Sequence, residues 1–332
     1  MIPKQDVPKQ DVFAEQSLVQ QPYRRIGAGF CGSVWSPDFT TTSTTVAIKR
    51  EDGGPGRSLL NDYNIHQTII QSLESCPLEL RTFTVPQCLA FVPKEHPGWQ
   101  DGKVLARFPP GYEACNILIS ERIPPMPADV RNRIIDKFCP SNPPSLPDQI
   151  RADDKNRDCL VRPYLGRSKH GRDQSRISFF SLRNCPLHVD QMYDLGLSPK
   201  DYSSAMAKTL AFLHWGAKID ANDIEFVLAP GNSAPQFSST FLGGHSLWIL
   251  DFDCCKPLSL DDAGVEQAAR AFLKNDPFYP RPGRTNSYGL WEEFRSEFLQ
   301  YSRLILDSQD LPTKLMDRIE ELVGEKESAE GS

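Results

Sequence analysis

Three acidic positions in the C-terminal half of this 332-residue chain are spaced as a metal site would need them. Asp220 ends the run Leu213-His214-Trp215-Gly216-Ala217-Lys218-Ile219, Glu225 stands five residues further on, and Asp251 follows the strand-like Leu247-Trp248-Ile249-Leu250 to open Asp251-Phe252-Asp253. Carboxylates brought this close repel one another unless a cation sits among them. An aspartate in a loop can orient or deprotonate an acceptor hydroxyl, which is the role expected of Asp220. Glu225 and Asp251 are expected to hold a divalent ion that bridges the phosphates of a nucleotide.

Two N-terminal motifs suit the same chemistry. Ile26-Gly27-Ala28-Gly29-Phe30-Cys31-Gly32-Ser33-Val34 fits G-x-G-x-x-G-x-V, and glycines there let backbone N–H groups approach phosphate oxygens. Alone, the pattern also describes a plain hairpin turn. The version in a dinucleotide-binding fold needs a helix straight after the last glycine, and Ser33-Val34-Trp35-Ser36-Pro37 does not resemble one. Seventeen residues beyond Gly32 comes Val46-Ala47-Ile48-Lys49, an apolar strand that delivers a lysine able to meet α- and β-phosphates. Such a lysine needs a carboxylate to hold it. Asp62 lies on the apolar stripe of the following helix, where an unpaired carboxylate is costly, so a Lys49–Asp62 pair is expected. The alternative puts Asp62 on a partly exposed edge.

The elements around these residues follow from periodicity. Residues 1–20 are polar, contain a short duplication (Pro3 to Val7, then Pro8 to Val12), and are expected to be a disordered tail. Strands are expected at Tyr23 to Ile26, Ser33 to Trp35, Thr44 to Lys49, Phe83 to Val85 and Ile117 to Ile119, with a helix over Ser58 to Ser72 whose stripe is Asp62, Ile65, Ile69 and Leu73. Prolines from Pro124 to Pro147 then suggest a long connector with a short helix at Val130 to Lys137. A basic segment carries Arg162, Arg167, Lys169, Arg172, Arg176 and Arg183; it reads as a solvated hairpin or a grip for an anionic acceptor. Ser198-Pro199-Lys200-Asp201 is a capping box, and Tyr202, Met206, Leu210 and Leu213 form the stripe of the helix it opens. Strands Phe226 to Leu228 and Leu247 to Leu250 flank Asp251, and helices are expected near Val265 to Leu273 and Leu290 to Leu306. Strands with one helix first and helices afterwards predict an α+β, two-lobed protein.

Composition narrows the class. Lysine and arginine number 37 against 43 aspartate and glutamate, a net charge of −6, which argues against a nucleic-acid or membrane-surface binder. The 28 prolines exceed the 21 glycines, and with 39% hydrophobic residues they mark ordered loops rather than wholesale disorder. Nine cysteines include no C-x-x-C pair, and the six histidines show no zinc-finger spacing, so no structural zinc is expected. The chain shows no signal peptide and no apolar run of a membrane span's ~18 residues. Buried free thiols and a cytoplasmic location are the expectation.

On these motifs the chain resembles the protein-kinase-like superfamily, which includes protein kinases and the aminoglycoside and choline phosphotransferases, over residues ~21–310. Asp158 to Arg167, Phe180 to Asn184, Leu213-His214-Trp215 with Asp223 to Leu228, and Asn275-Asp276-Pro277-Phe278-Tyr279-Pro280-Arg281-Pro282 are similar to a fungal kinase-like family that brings no established substrate. Its members are often labelled zinc-finger proteins. The resemblance implies a bilobal kinase-like fold: an N-lobe over 21–123, a C-lobe over 124–325, and a shared cleft, so that the halves do not function separately. It implies ATP with Mg2+ or Mn2+ as cofactors and Ser120-Glu121-Arg122-Ile123 as the interlobe hinge. The nucleotide-contacting residues are then Gly27, Gly29, Gly32, Val34, Ala47, Lys49, Asp62, Glu121 and Ile123.

Departures from the kinase pattern are specific. Asp62 replaces a glutamate, Lys218-Ile219-Asp220 lacks the arginine of H-R-D, and Glu225 replaces an asparagine, with Asn222 or Asp223 able to substitute for it. Asp253 as third residue of the D-F-G triplet is closer to small-molecule phosphotransferases, and no A-P-E follows. The expected activity is therefore ATP/Mg-dependent phosphotransfer to a small-molecule hydroxyl in a fungal metabolic pathway. A pseudokinase that binds a nucleotide or a protein partner without transfer is the alternative, and a protein Ser/Thr kinase ranks below both.

Overall fold

Alternating β-branched and polar residues build the N-terminal part of the chain into a sheet, and 3.6-residue periodicity builds most of the remainder into helices. The computed structural model describes residues 22–37, 46–100, 102, 104–169, 180–231, 234–283, 289–308 and 310–330. The expected tail, Thr44 and Thr45 of the third expected strand, and Arg172 and Arg176 of the basic segment lie outside the described residues. Two compact units result, one of Met1–Leu59 with Cys88–Arg122 and one of Leu60–Gln87 with Ile123–Ser332. The fold is α+β, with a β-rich N-terminal sheet and a helical C-terminal region.

The first unit is an antiparallel sheet of β1 (Tyr23–Ala28), β2 (Ser33–Pro37), β3 (Val46–Arg50), β4 (Cys88–Val92) and β5 (Ile117–Glu121) in the order β1-β2-β3-β5-β4. Trp35, Ile48, Ile117, Ile119 and Phe108 are buried in its core. Arg50 is buried too, its guanidinium 4.4 Å from the Phe108 ring and 5.2 Å from that of Tyr112. Phe83 to Val85, expected as a strand, instead makes a single bridge between Thr84 and Trp248 in the second unit; Pro86, with no N–H, stops the ladder there. β4 is the strand that the unit uses in its place.

The second unit begins within α1 (Leu59–Leu73), on which Asp62, Ile65 and Ile69 are buried as the stripe requires. The prolines from 124 onwards punctuate helices rather than one long loop: α2 (Ala128–Phe138) starts after Pro127 and ends before Pro140, and α3 (Leu146–Ala152) takes Pro147 in its first turn, where a missing N–H costs nothing. β6 (Val161–Tyr164), which carries Arg162 of the basic segment, pairs in parallel with β7 (Cys185–His188), which follows that segment, and the two extend a second sheet in the order β7-β6-β8-β10-β9 with β8 (Glu225–Ala229), β9 (Phe237–Ser239) and β10 (Gly243–Leu250). A short α4 (Val189–Asp194) leads to α5 (Pro199–Ala211), where Ser198 accepts the Asp201 N–H as its cap.

Tyr202, Met206, Leu210 and Leu213 of α5 and its continuation are all buried. They belong to the same core as α6 (Asp262–Lys274), α7 (Leu290–Ser302) and α8 (Asp310–Glu330). Helix α8 is absent from the sequence-based expectation; its Arg318 reaches Glu266 of α6 at 2.7 Å. Among the described residues no helix is long and apolar enough to cross a membrane. All nine cysteines are free thiols, buried or half-buried.

Candidate functional site

The loop that carries Asp220 leaves α5 through one wide π turn, Phe212–Gly216. A segment 36 residues downstream fixes its path: Asp220 N–H donates to the Lys256 carbonyl at 3.0 Å, and Leu258 N–H donates to the Lys218 carbonyl at 2.8 Å. Asp220 is 3% exposed, and N–H groups hold both its oxygens. Oδ1 accepts from the amides of Asn222 (3.1 Å) and Lys256 (2.9 Å); Oδ2 accepts from Gln267 on α6 (2.9 Å).

Backbone strain concentrates here. Five non-glycine residues among those described have positive φ, and four of them are Lys218, Ala221, Asp223 and Asp251. Left-handed geometry costs an L-residue on the order of 1–3 kcal/mol and persists where its surroundings over-determine it, a pattern found at functional sites. The surroundings are visible. Asn222 Nδ2 donates to the Cys254 carbonyl (3.1 Å), Cys255 Sγ to the Asn222 carbonyl (3.3 Å), and Asn275, next after α6, donates Nδ2 to the Ile224 carbonyl (2.9 Å).

The first turns of α1 hold the Asp251-Phe252-Asp253 segment. Asn61 Nδ2 donates to the carbonyls of Asp253 (2.9 Å) and Cys255 (3.0 Å), while Asp62 Oδ1 accepts the Phe252 N–H (3.3 Å). Asp62 is therefore buried with a partner and is not on an exposed edge. The Phe252 ring packs 5.0 Å from that of His66. Cys255 reports the electrostatics: burial lifts its thiol well above the ordinary range, and the charges of Asp220, Asp62 and Asp251 lift it further. Three of the expected site carboxylates thus act on one buried thiol, and that thiol is not a nucleophile.

Glu225 is the first residue of β8, and Arg162 lies on the neighbouring strand β6. Arg162 Nη2 meets Glu225 Oε2 at 2.5 Å, with the side chains 17% and 23% exposed. The ligand atoms of Asp223, Asp253 and Cys254, by contrast, lie within 4.8 Å of one another. The two carboxylates suit Mg2+ or Mn2+, which take one or two carboxylates and complete their shell with water and phosphate; the thiol does not suit Mg2+. The donor set fits a hard divalent ion through Asp253 and Asp223; the expected ligands Glu225 and Asp251 are not part of this group.

The other expected residues belong to the first unit. Gly27 lies in β1 opposite Val34, and Gly29 and Gly32 sit in the β1–β2 turn, closed by Gly29 N–H to the Gly32 carbonyl at 2.8 Å. A Cβ on Gly32 would stand 2.1 Å from the Arg50 carbonyl, so only glycine lets the turn approach β3. Asp52 ties the turn down by accepting from Ser33 N–H (2.7 Å) and Arg50 Nε (2.9 Å). Burial alone would raise the Asp52 carboxyl; these bonds outweigh it and hold the group below its ordinary range. Val34 pairs with Lys49 across β2 and β3, and Ala47 pairs with Ser120 across β3 and β5. Glu121 ends β5, and the division between the units falls between Arg122 and Ile123; Ile123 packs with Val227, Ala229 and Trp248. Lys49 and Asp62 belong to different units.

Sequence reasoning missed Asn61, Gln267 and the role of Arg162. Asn61 carried a signal, as a polar residue in the first turn of α1, and the others carried none. Two arginines of the basic segment bind carboxylates of their own chain: besides Arg162, Arg167 Nη2 meets Asp276 at 2.9 Å. His214 and Trp215 pack in the core, where Trp215 Nε1 donates to Ser302 (2.9 Å). Burial drives His214 down to about 3 from an ordinary 6.5, and the Asp220 backbone offsets this only in part.

The family DUF3669, described as "Zinc finger protein", matches residues 247–310, which hold the Asp251-Phe252-Asp253 segment and α6. No curated protein matches the chain. Among solved structures, that of the microcompartment-associated aminopropanol kinase is similar at 10% identity over 90% of this chain and 88% of that one. Its TM-score is 0.29, too low to carry an argument about this chain.

Proposed function

We propose that the protein is an ATP-dependent phosphotransferase that uses Mg2+ or Mn2+ and acts on a small-molecule hydroxyl. The observation that carries this is the tying of the Asp251-Phe252-Asp253 segment and the residues after it to Asp62 on α1, through the Phe252 N–H, and to the Asp220 loop, through the Lys256 N–H and the Cys254 carbonyl, where four of the five left-handed non-glycine residues described are found. Asp220 would orient the acceptor hydroxyl and accept its proton. Asp251, with Asp253 and Asp223, would hold the ion, which when bound supplies positive charge against the phosphates. Lys49 and the Gly27–Gly32 turn would hold the nucleotide's phosphates, with Val34, Ala47, Glu121 and Ile123 as its further contacts. Asp253 in the third position of its triplet favours a small-molecule acceptor over a protein one.

A nucleotide-binding scaffold without transfer is the second reading, and one observation favours it: three N–H donors already occupy the nearly buried Asp220 carboxylate. Melting curves separate the outcomes. ATP should raise the melting temperature only with Mg2+ or Mn2+, and Asp251→Asn should remove the shift; a curve indifferent to both sinks the nucleotide reading. Labelled ATP with metabolite extracts then tests transfer, and a binding protein that labels nothing is the scaffold.

A further inference from the structure

We propose that Arg162 stands in for a cation at Glu225, so that Glu225 ligates no metal and the site takes one divalent ion rather than two. The inference rests on reading the second unit as a metal–nucleotide site. Glu225 occupies the position expected to supply a second ligand, five residues after Asp220, and the geometry commits it elsewhere. β6 and β8 are neighbouring antiparallel strands joined at Val161 and Leu228, a register that puts Arg162 opposite Val227 and makes Glu225, two residues from Val227 on the same strand face, its diagonal neighbour. Their contact at 2.5 Å lies between two largely buried side chains.

A guanidinium does not lose its proton at any pH the fold survives, so the positive charge is permanent. Arg162 Nε is buried without a hydrogen-bond partner, which leaves Glu225 as the acceptor that holds the side chain. A divalent ion bound to Glu225 would sit against that charge, and like charges disfavour one another at contact distance. The ligand atoms that do converge belong to Asp223, Asp253 and Cys254 and exclude Glu225. In sequence Glu225 adds a negative charge to the site; in the fold Arg162 cancels it. Arg162 is thus a positioning residue, and the lost second ligand is replaced by a fixed charge.

The test counts Mn2+ bound to the full chain, by the electron paramagnetic resonance signal of the free ion, with and without a non-hydrolysable ATP analogue. One ion is expected in the parent. Glu225→Gln should leave the count at one and the affinity within about twofold. Arg162→Gln should add a second ion, and Arg162→Gln with Glu225→Gln should remove it again. A loss of Mn2+, or an affinity drop of about tenfold, in Glu225→Gln alone overturns the inference. So does a folded Arg162→Gln variant that gains nothing. If Arg162→Gln fails to fold, the Glu225→Gln arm decides alone. A parent that binds no Mn2+ with or without the analogue defeats the metal–nucleotide reading instead, and the Arg162 inference then stands or falls on whether Arg162→Gln creates a Glu225-dependent site.

Discussion

Gln267 on α6 donates Nε2 protons to Asp220 Oδ2 at 2.9 Å and to the Pro257 carbonyl at 3.1 Å, joining the Asp220 loop to the segment beyond Asp253. Gln267→Leu should lower stability by about 1–2 kcal/mol, the usual loss when a nearly buried acceptor is deprived of a donor. Phosphotransfer should fall by about tenfold as Asp220 loses its orientation, while Gln267→Glu, which sets a second carboxyl against the first, should be worse. Urea unfolding and turnover on the same preparations check both.

If Asp220 has the proposed role, Asp220→Ala should abolish γ-phosphate transfer and leave nucleotide binding intact, because that role acts on the acceptor hydroxyl and not on the phosphates. Transfer retained in that variant refutes the role. Binding lost along with transfer points to loop collapse, since three N–H donors would lose their acceptor.

Asn61→Leu removes two hydrogen bonds from α1 to the Asp253 and Cys255 carbonyls. The expected cost is about 1–3 kcal/mol in a melt without ligand, with a smaller metal-dependent shift by ATP. An unchanged ATP shift would mean that α1 does not set the metal ligands.

His214 makes the fold acid-sensitive. In the unfolded chain it takes up a proton near 6.5, whereas in the core it does so only near 3. Its neutral form therefore supports folding fully above 6.5, and that support is lost as pH falls through the window, by about 1.4 kcal/mol per pH unit. His214→Phe should flatten this acid limb in urea titrations between pH 6 and 4. An unaltered slope assigns acid sensitivity to other groups.

What could be read from the sequence was what local periodicity writes. The stripe Tyr202, Met206, Leu210 and Leu213, the cap at Ser198 and the buried face of α1 all follow from spacing alone. β6 was hidden because Val161-Arg162-Pro163-Tyr164 looks like a loop. Its pairing with β8 is confined to Val161 and Leu228, so the missing Pro163 N–H costs no bond on that side. α8 was hidden because its charged surface masks the apolar positions Leu315, Met316 and Ile319. Around the site, the Asp220 loop and the Asp251 triplet were legible as motifs. The Arg162–Glu225 pair was not, since 63 residues separate its members and only strand order brings them together.

The bond from Phe252 to Asp62 also sets a clock. It closes over 190 residues of chain, so α1 emerges from the ribosome long before the segment that receives it exists. At roughly 5–20 residues per second, the interval is about 10–40 s. Throughout it Ile65 and Ile69, buried in the finished core, have only incomplete partners. The second unit cannot close until most of the chain has been made, and in that interval the apolar stripe of α1 is open to association with other surfaces.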